Sequence, residues 1–341
     1  MVRIPGRKRS VGRTLPDIGE RELVTLISKA LKAGGVADGR GVQRGIGDDC
    51  AVLDLGEELL LITTDMVSAQ THFQDTAPGD MGWHLMAVNL SDIAAMGGYP
   101  VAAVVALGLC KELDERFVLE LVDGILECAE RFAVPVVGGD TKETPDIVLC
   151  ATIVGKVAKG KVLYRTGAKP GDLLCVTGPL GRAAAGHEAR RSGRGKEVPG
   201  AIEAITRPFP RIDEGRFLSS SGVVTSCMDI SDGLASCLDQ MLCEDEGGRC
   251  PGFLVRWDSV PVAPEVGVMG LDPVEAALHW GGDYELVFTV SCGGIGMLRG
   301  MNPIIIGEVV GEKGIWLEKD GKRRSLEGRG WEHFKSKAQV K

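Results

Sequence analysis

Apolar residues at Leu23, Leu26, Ile27, Ala30 and Leu31 fall three and four apart, which lines one face of a helix, and Gly34-Gly35 ends it. Residues 59–64 form a short apolar, partly β-branched run that predicts a strand stopping at Asp65. Residues 81–96 predict a helix closed by Gly97-Gly98. A strand over 101–109 follows, then a helix over 115–132 with Phe117, Leu121, Ile125 and Ala129 four apart. Strands are predicted over 134–137, running into Gly138-Gly139-Asp140, and over 147–154. Turn formers fill 164–172 and mark a link. Beyond it the pattern predicts strands at 173–177, 223–228, 253–257, 285–290 and 303–309. Helices are predicted at 181–190, 213–219, 234–243 and 273–280, with a polar Gly-rich loop over 192–199. Strands and helices mix throughout without a repeat, so the class is α/β or α+β.

A length of 341 residues adds two domains to this picture. Placing the boundary in the turn-rich link gives a basic disordered tail at 1–15, an N-terminal domain at 16–163 and a C-terminal α/β domain at 164–341. The tail carries Arg3, Arg7, Lys8, Arg9 and Arg13, with no apolar run behind it that would make a secretory signal. A net charge of -8 argues against nucleic acid as a partner. No apolar stretch is long enough to span a membrane. None of the ten cysteines stands in a C-x-x-C pair, and most lie in apolar runs. They read as small buried hydrophobes in a reducing cytoplasm.

The candidate chemistry lies in acids beside Gly, Ser or Thr where apolar runs stop. These are Gly47-Asp48-Asp49, Thr63-Thr64-Asp65, Gly138-Gly139-Asp140 and Asp229-Ile230-Ser231-Asp232-Gly233. Asp92 sits in an otherwise apolar helix. Asp beside Gly is also common turn chemistry, but an unpaired Asp on an apolar helix is costly. Carboxylates gathered at strand ends repel one another unless a cation lies among them. Oxygen donors suit Mg²⁺, which binds one or two carboxylates together with substrate phosphates. Six or seven Asp therefore point to several ions and a polyphosphate. No P-loop, protein-kinase motif set or zinc-type histidine spacing is present.

At these residues the chain resembles the thiamine-monophosphate kinase family. The resemblance runs through Gly45-Ile46-Gly47-Asp48-Asp49, Thr63-Thr64-Asp65 with His72-Phe73, Asn89-Leu90-Ser91-Asp92 and Gly138-Gly139-Asp140-Thr141. It continues through Arg165-Thr166-Gly167, Asp229-Ile230-Ser231-Asp232-Gly233, Gly282-Asp283-Tyr284-Glu285 and Gly330-Trp331-Glu332-His333-Phe334. It implies a two-domain fold like that of aminoimidazole ribonucleotide synthetase, whose N-terminal sheet domain pairs with its twin in a homodimer. It also implies ATP-dependent phosphorylation of thiamine monophosphate to thiamine diphosphate. By position, Asp49, Asp65, Asp92, Asp140, Asp229 and Asp232 match Mg²⁺ ligands, and Thr63 and Thr64 match hydroxyl or carbonyl ligands. Asp65, Asp140 and Asp229 are the implied catalytic acids. Gly139, Asp140, Arg165 and Ser231 match ATP contacts, and His72 and Trp331 match groups that hold thiamine monophosphate.

One departure stands out: Gly282 occupies the place of a family Glu thought to touch the acceptor. Two other readings remain open from sequence, namely another ATP-using enzyme of the same superfamily and a non-catalytic nucleotide-binding homologue.

Overall fold

The computed structural model describes residues 13–34, 39, 41–242 and 250–334. These form two compact units, one from the described residues of Met1–Arg40 and Trp331–Lys341, the other Gly41–Gly330. The expectations for Arg3, Arg7, Lys8, Arg9, Gly35 and Cys243 lie outside the described residues.

The smaller unit is built on helix α1 (Leu15–Ala33), which starts earlier than its apolar spacing predicts and is interrupted at Gly19. Asp17 accepts hydrogen bonds from the Thr14 amide and hydroxyl, closing a capping box. The C-terminal segment joins this helix through the Arg21 amide, which donates to Glu332, and the His333 amide, which donates to Glu20. Trp331 is half-exposed, and its ring meets His333 edge-on at 5.9 Å.

In the larger unit a first sheet comprises β1 (Val42–Arg44), β2 (Ala51–Asp54), β3 (Glu58–Ser68), β4 (Tyr99–Leu109), β5 (Val136–Glu143) and β6 (Val148–Ala158). Their spatial order is β1-β2-β3-β6-β4-β5, antiparallel except for the β4–β5 pair. Along β3, Leu59, Leu61, Thr63 and Val67 are buried on one face while Thr64 and Met66 are exposed on the other, the period-two alternation of a half-covered sheet. Two expectations need correcting. The strand through Asp65 continues to Ser68, and the strand through Asp140 continues to Glu143. Each Asp has a partner on the adjacent strand, Ala151 for Asp65 and Ala106 for Asp140. Both side chains reach solvent, so the carboxylate costs the ladder nothing. Gly and Asp there mimic a turn without making one.

The second sheet has the order β13-β12-β9-β11-β7-β10-β8. Its strands are β7 (Leu173–Val176), β8 (Val224–Asp229), β9 (Gly252–Arg256), β10 (Leu286–Val290), β11 (Ile304–Val310), β12 (Gly314–Lys319) and β13 (Lys322–Ser325). The main helices of this part are α4 (Arg182–Arg191), α5 (Pro199–Thr206), α6 (Ile212–Ser221) and α7 (Leu234–Met241). Helix α5 begins at a proline, which the sequence pattern treats as the end of a loop, yet Pro suits the first helical position. β12 and β13 escaped notice because β13 is Lys322-Arg323-Arg324-Ser325, exposed throughout.

Helix α2 (Pro78–Ala95) joins the two sheets. It is buried nearly all round from Met81 to Ala95, packing on β3 and β6 on one side and on α6 and β8 on the other. One continuous core therefore runs from Leu59 and Leu61 through Leu85 and Ile93 to Cys227 and Phe288. Helix α3 (Glu115–Arg131) crosses α2 at backbone contact: a Cβ on Gly124 would lie 1.7 Å from the Gly79 carbonyl oxygen, and one on Gly82 would lie 2.1 Å from that of Leu121. Of the nine described cysteines, five are buried and Cys292 is exposed, an exception to the buried-thiol expectation. No helix among the described residues is long and apolar enough to cross a membrane.

The α2–α3 crossing generates a test. Gly124→Ala forces the two helices apart and destabilises the protein by about 1–3 kcal/mol, as overpacking of a closed core does. Urea denaturation measures it, and an unchanged midpoint would show that the crossing is looser than described.

Candidate functional site

The centre of the larger unit is polar. One turn of the apolar helix α2 presents Asn89, Ser91 and Asp92, which between them reach strands β3 and β8. The Asn89 side-chain oxygen accepts from the Asp65 amide at 2.8 Å, and its nitrogen donates to Leu85 within the helix. The Ser91 hydroxyl donates to Asp229 at 2.7 Å. Asp92 accepts from the Thr63 hydroxyl. This turn thus ties β3 of the first sheet to the end of β8 in the second.

Asp49, from the loop between β1 and β2, completes the centre. Ligand oxygens of Asp49, Asp92 and Asp229 all lie within 4.8 Å of one another, with Asp49 and Asp229 buried. Three carboxylates this close in a dry site cannot all be charged unaided. Burial, then repulsion from Asp65, Asp229 and Asp49, pushes the Asp92 carboxyl well above its ordinary range. Burial and the nearby Asp49 push Asp229 up to about 8. Burial raises Asp49 as well, against the pull of Arg165.

Arg165 leaves the link between the sheets and donates to Asp49 from Nε at 3.2 Å and from a terminal nitrogen at 2.6 Å. Its other terminal nitrogen donates to Gln240 at 2.9 Å, and its amide donates to Asp48 at 3.1 Å. Burial works against the guanidinium charge, but Asp49 overrides it and Arg165 stays protonated. Arg165 bonds only one Asp49 oxygen. The other, Oδ2, is buried with no hydrogen-bond partner. An orphaned carboxylate oxygen aimed among two further carboxylates fits a hard divalent cation, whose ligands are oxygens.

The remaining sequence candidates divide by strand alternation. Asp65 shares the helix-covered face with Thr63 and is near enough to raise Asp92. Ser231 stands beside Asp229, its hydroxyl 3.5 Å from that carboxylate. Asp232 is near enough to oppose ionisation of Tyr284, as are Asp65, Asp229 and Asp92. Thr64 points the opposite way, its hydroxyl bonding the Ala151 carbonyl beside Cys150 and Thr152 on the open face, so only its carbonyl could serve the centre.

Asp140 and Gly139 stand apart. They lie on the edge strand β5, with β6 and β4 between them and β3, so Asp140 is about 14 Å across the sheet from Asp65. Asp140 pairs with exposed Ala106, which places it on the open face. A single cleft within one chain therefore does not collect all the acids. Gly139 also has a structural reason to be glycine, since a Cβ there would meet the Val105 carbonyl oxygen at 1.9 Å.

His72 lies in a row of rings leading away from the acids. Tyr284 meets His84 edge-on at 6.3 Å, and His84 is 6.0 Å from His72 and 5.7 Å from Phe73. His84 is buried, and burial lowers its pKa to about 3, so it stays neutral. Tyr284 was missed by sequence reasoning as a link between acids and rings. Asn89 and Ser91 were quoted only as parts of a motif. Their signal was present, as two polar residues within one turn of Asp92 on a helix otherwise buried.

Known proteins match this arrangement. Residues 47–157 match the family model for AIR synthase related protein, N-terminal domain. The chain is 34% identical over 292 residues to the thiamine-monophosphate kinase of Pyrococcus horikoshii, covering 85% of this chain and 91% of that one. It is 35% identical over 310 residues to the thiamine-monophosphate kinase of Escherichia coli strain K12, covering 86% of this chain and 92% of that one. A solved structure described as AaThiL complexed with AMPPCP and TMP superposes with a TM-score of 0.83 at 29% identity, over 95% of this chain and all of that one.

The carboxylate centre yields a thermal test. Asp92→Asn relieves the crowding of carboxyls in the cation-free protein and raises its melting temperature by a few degrees. It also removes the further rise that millimolar Mg²⁺ gives the unsubstituted chain. Scanning calorimetry with and without Mg²⁺ reads both, and an undiminished Mg²⁺ response in the variant would rule Asp92 out as a ligand.

Proposed function

Given that the chain belongs to the thiamine-monophosphate kinase family, we propose that it transfers the γ-phosphoryl group of ATP directly to thiamine monophosphate, giving thiamine diphosphate and ADP. The observation that carries this reading is the buried Asp49–Asp92–Asp229 group with its unpartnered Asp49 oxygen. A scaffold that only held its fold would gain nothing from three converging carboxylates.

Asp49, Asp92 and Asp229 would hold Mg²⁺, with Asp65, Asp232 and the Thr63 and Thr64 oxygens at its margins. Bound there, Mg²⁺ neutralises the phosphates and offsets the repulsion between donor and acceptor. The acceptor is a phosphate monoester with a second pKa near 6, so it is largely a dianion at neutral pH. One of its oxygens attacks the γ-phosphorus as the bond to the β-phosphate oxygen breaks, and no side chain need remove a proton. Asn89 and Ser91 fix the strands that carry Asp65 and Asp229. Arg165 and Ser231 contact ATP. His72 holds the acceptor's organic part, and Trp331 of the smaller unit is assigned to it as well. The functional domains are taken as 16–163 and 164–341, and the protein as cytoplasmic.

The working form is a homodimer. The open face of the first sheet exposes Met66, Val101, Val104 and Val137, with Met66 68% and Val137 65% exposed, an apolar surface suited to a second copy. Asp140 lies on that face, with Gly139 next to it on the same edge strand, so this segment serves phosphate across the dimer, from the neighbouring copy.

The reading is tested with purified protein, ATP, Mg²⁺ and thiamine monophosphate, separating the products by chromatography. Asp65→Asn and Asp140→Asn each lower transfer by at least about a hundredfold, the scale of losing one charge-stabilising group. An equimolar re-associated mixture of the two variants regains a measurable fraction of activity, because one site in a mixed dimer then has both acids intact. Wild-type rates in Asp65→Asn would defeat the acid-centre mechanism. An inactive mixture in which native mass spectrometry of differently tagged variants shows exchanged subunits would defeat the cross-dimer role of Asp140.

Arg165 allows a separate measurement. Arg165→Ala raises the KM for ATP several-fold and that for thiamine monophosphate less. An unchanged ATP KM would leave Arg165 only its bond to Asp49.

A further inference from the structure

The loop from Trp280 to Glu285 is fixed to its surroundings on both sides. The Gly282 amide donates to the Ser231 carbonyl at 2.7 Å and the Tyr284 amide to that of Ile230 at 3.0 Å. Asp283 accepts from the amides of Gly181 and Ala183, at 2.6 and 2.9 Å, and so caps α4. Glu285 is buried and paired with Arg211. Gly282 has a φ of 95°, and a Cβ there would sit 3.3 Å from Ala183, so the backbone shape itself selects glycine. On the facing helix Glu188 pairs with Arg191. No carboxylate of this loop or of Glu188 is left to attract a cation.

One group that can attract a cation remains exposed on the loop. Trp280 is 43% exposed, with its ring 6.1 Å from that of His187 on α4. Trp280, on the same loop as Tyr284, forms a ring pair of its own with His187, and His187 is near enough to His84 to act on it. We propose that Trp280 is the specificity-determining face for the acceptor, receiving its cationic heteroaromatic ring while the phosphate end lies at the Asp49–Asp92–Asp229 centre. This rests on the acceptor being thiamine monophosphate, whose thiazolium carries a permanent positive charge. An indole face attracts such a cation through its quadrupole, more strongly than a phenyl face does. With no side chain at 282, the neighbouring ring has room over this stretch of the loop.

The experiment uses the full chain as wild type, Trp280→Leu and Trp280→Phe, with folding checked by circular dichroism and melting temperature. Trp280→Leu raises the KM for thiamine monophosphate about five- to tenfold and leaves kcat and the ATP KM near wild type, and Trp280→Phe recovers part of the loss. With the thiazolium reduced to its neutral form, the same ester shows little difference between wild type and Trp280→Leu. In the presence of AMPPCP, thiamine monophosphate quenches wild-type tryptophan fluorescence, and Trp280→Phe loses most of that quench. An acceptor KM unchanged in folded Trp280→Leu overturns the assignment of Trp280 alone. Wild type that forms ADP without thiamine diphosphate overturns the acceptor on which it rests.

Discussion

The structure turns on keeping Asp92 on a helix that is packed on all sides. A carboxylate there faces burial and three other acids, a cost that the hydrophobic packing of α2 must carry. The same turn uses that position to organise everything around it. Asn89 fixes the β3 backbone at Asp65, Ser91 fixes Asp229, and Thr63 meets Asp92. Two sheets of different topology are thereby held in one register at a single polar point. Replacing the turn with apolar residues would remove the repulsion and with it these polar ties between β3 and β8 through the helix.

Arg165 is the counterweight on the other side. Its guanidinium reaches Asp49 from the link between the sheets and is held there by Gln240 on α7. Burial raises the carboxyls of Asp92 and Asp229 first, and the neighbouring acids that Arg165 does not balance add to it. The proposed divalent cation and nucleotide would meet that negative charge, with the Arg165 guanidinium beside them.

The alternation of sheets and helices was legible in apolar periodicity, because β3, α2, β4 and α3 bury strong stripes. Ends were less so. Asp65 and Asp140 look like strand stops because each ends an apolar run, Asp140 after two glycines, yet adjacent strands continue to pair with both. The buried trio was legible through the anomaly of Asp92 and the repeated Gly–Asp and Ser–Asp runs. What no linear reading supplies is the sheet order: β6 and β4 lie between β3 and β5, and this alone parts Asp140 from Asp65. Nor does it show that Thr63 and Thr64, though adjacent, serve opposite faces, unless the strand is known to run on through them.

The two ends of the site are built with different rigidity, and this bears on how its specificity can vary. The acid centre rests on a buried helix and on the end of β8 where it packs against that helix, so a shift of any one carboxylate disturbs the others. The proposed acceptor side rests on a loop whose acids are engaged in structure, Asp283 in capping α4 and Glu285 with Arg211. Of its other positions, the Trp280 side chain is half-exposed and carries no such duty. Exchanging a side chain there changes what the loop offers to an acceptor without altering a single bond of the Asp49–Asp92–Asp229 group. A departure at Gly282 is therefore compatible with an intact phosphoryl-transfer centre.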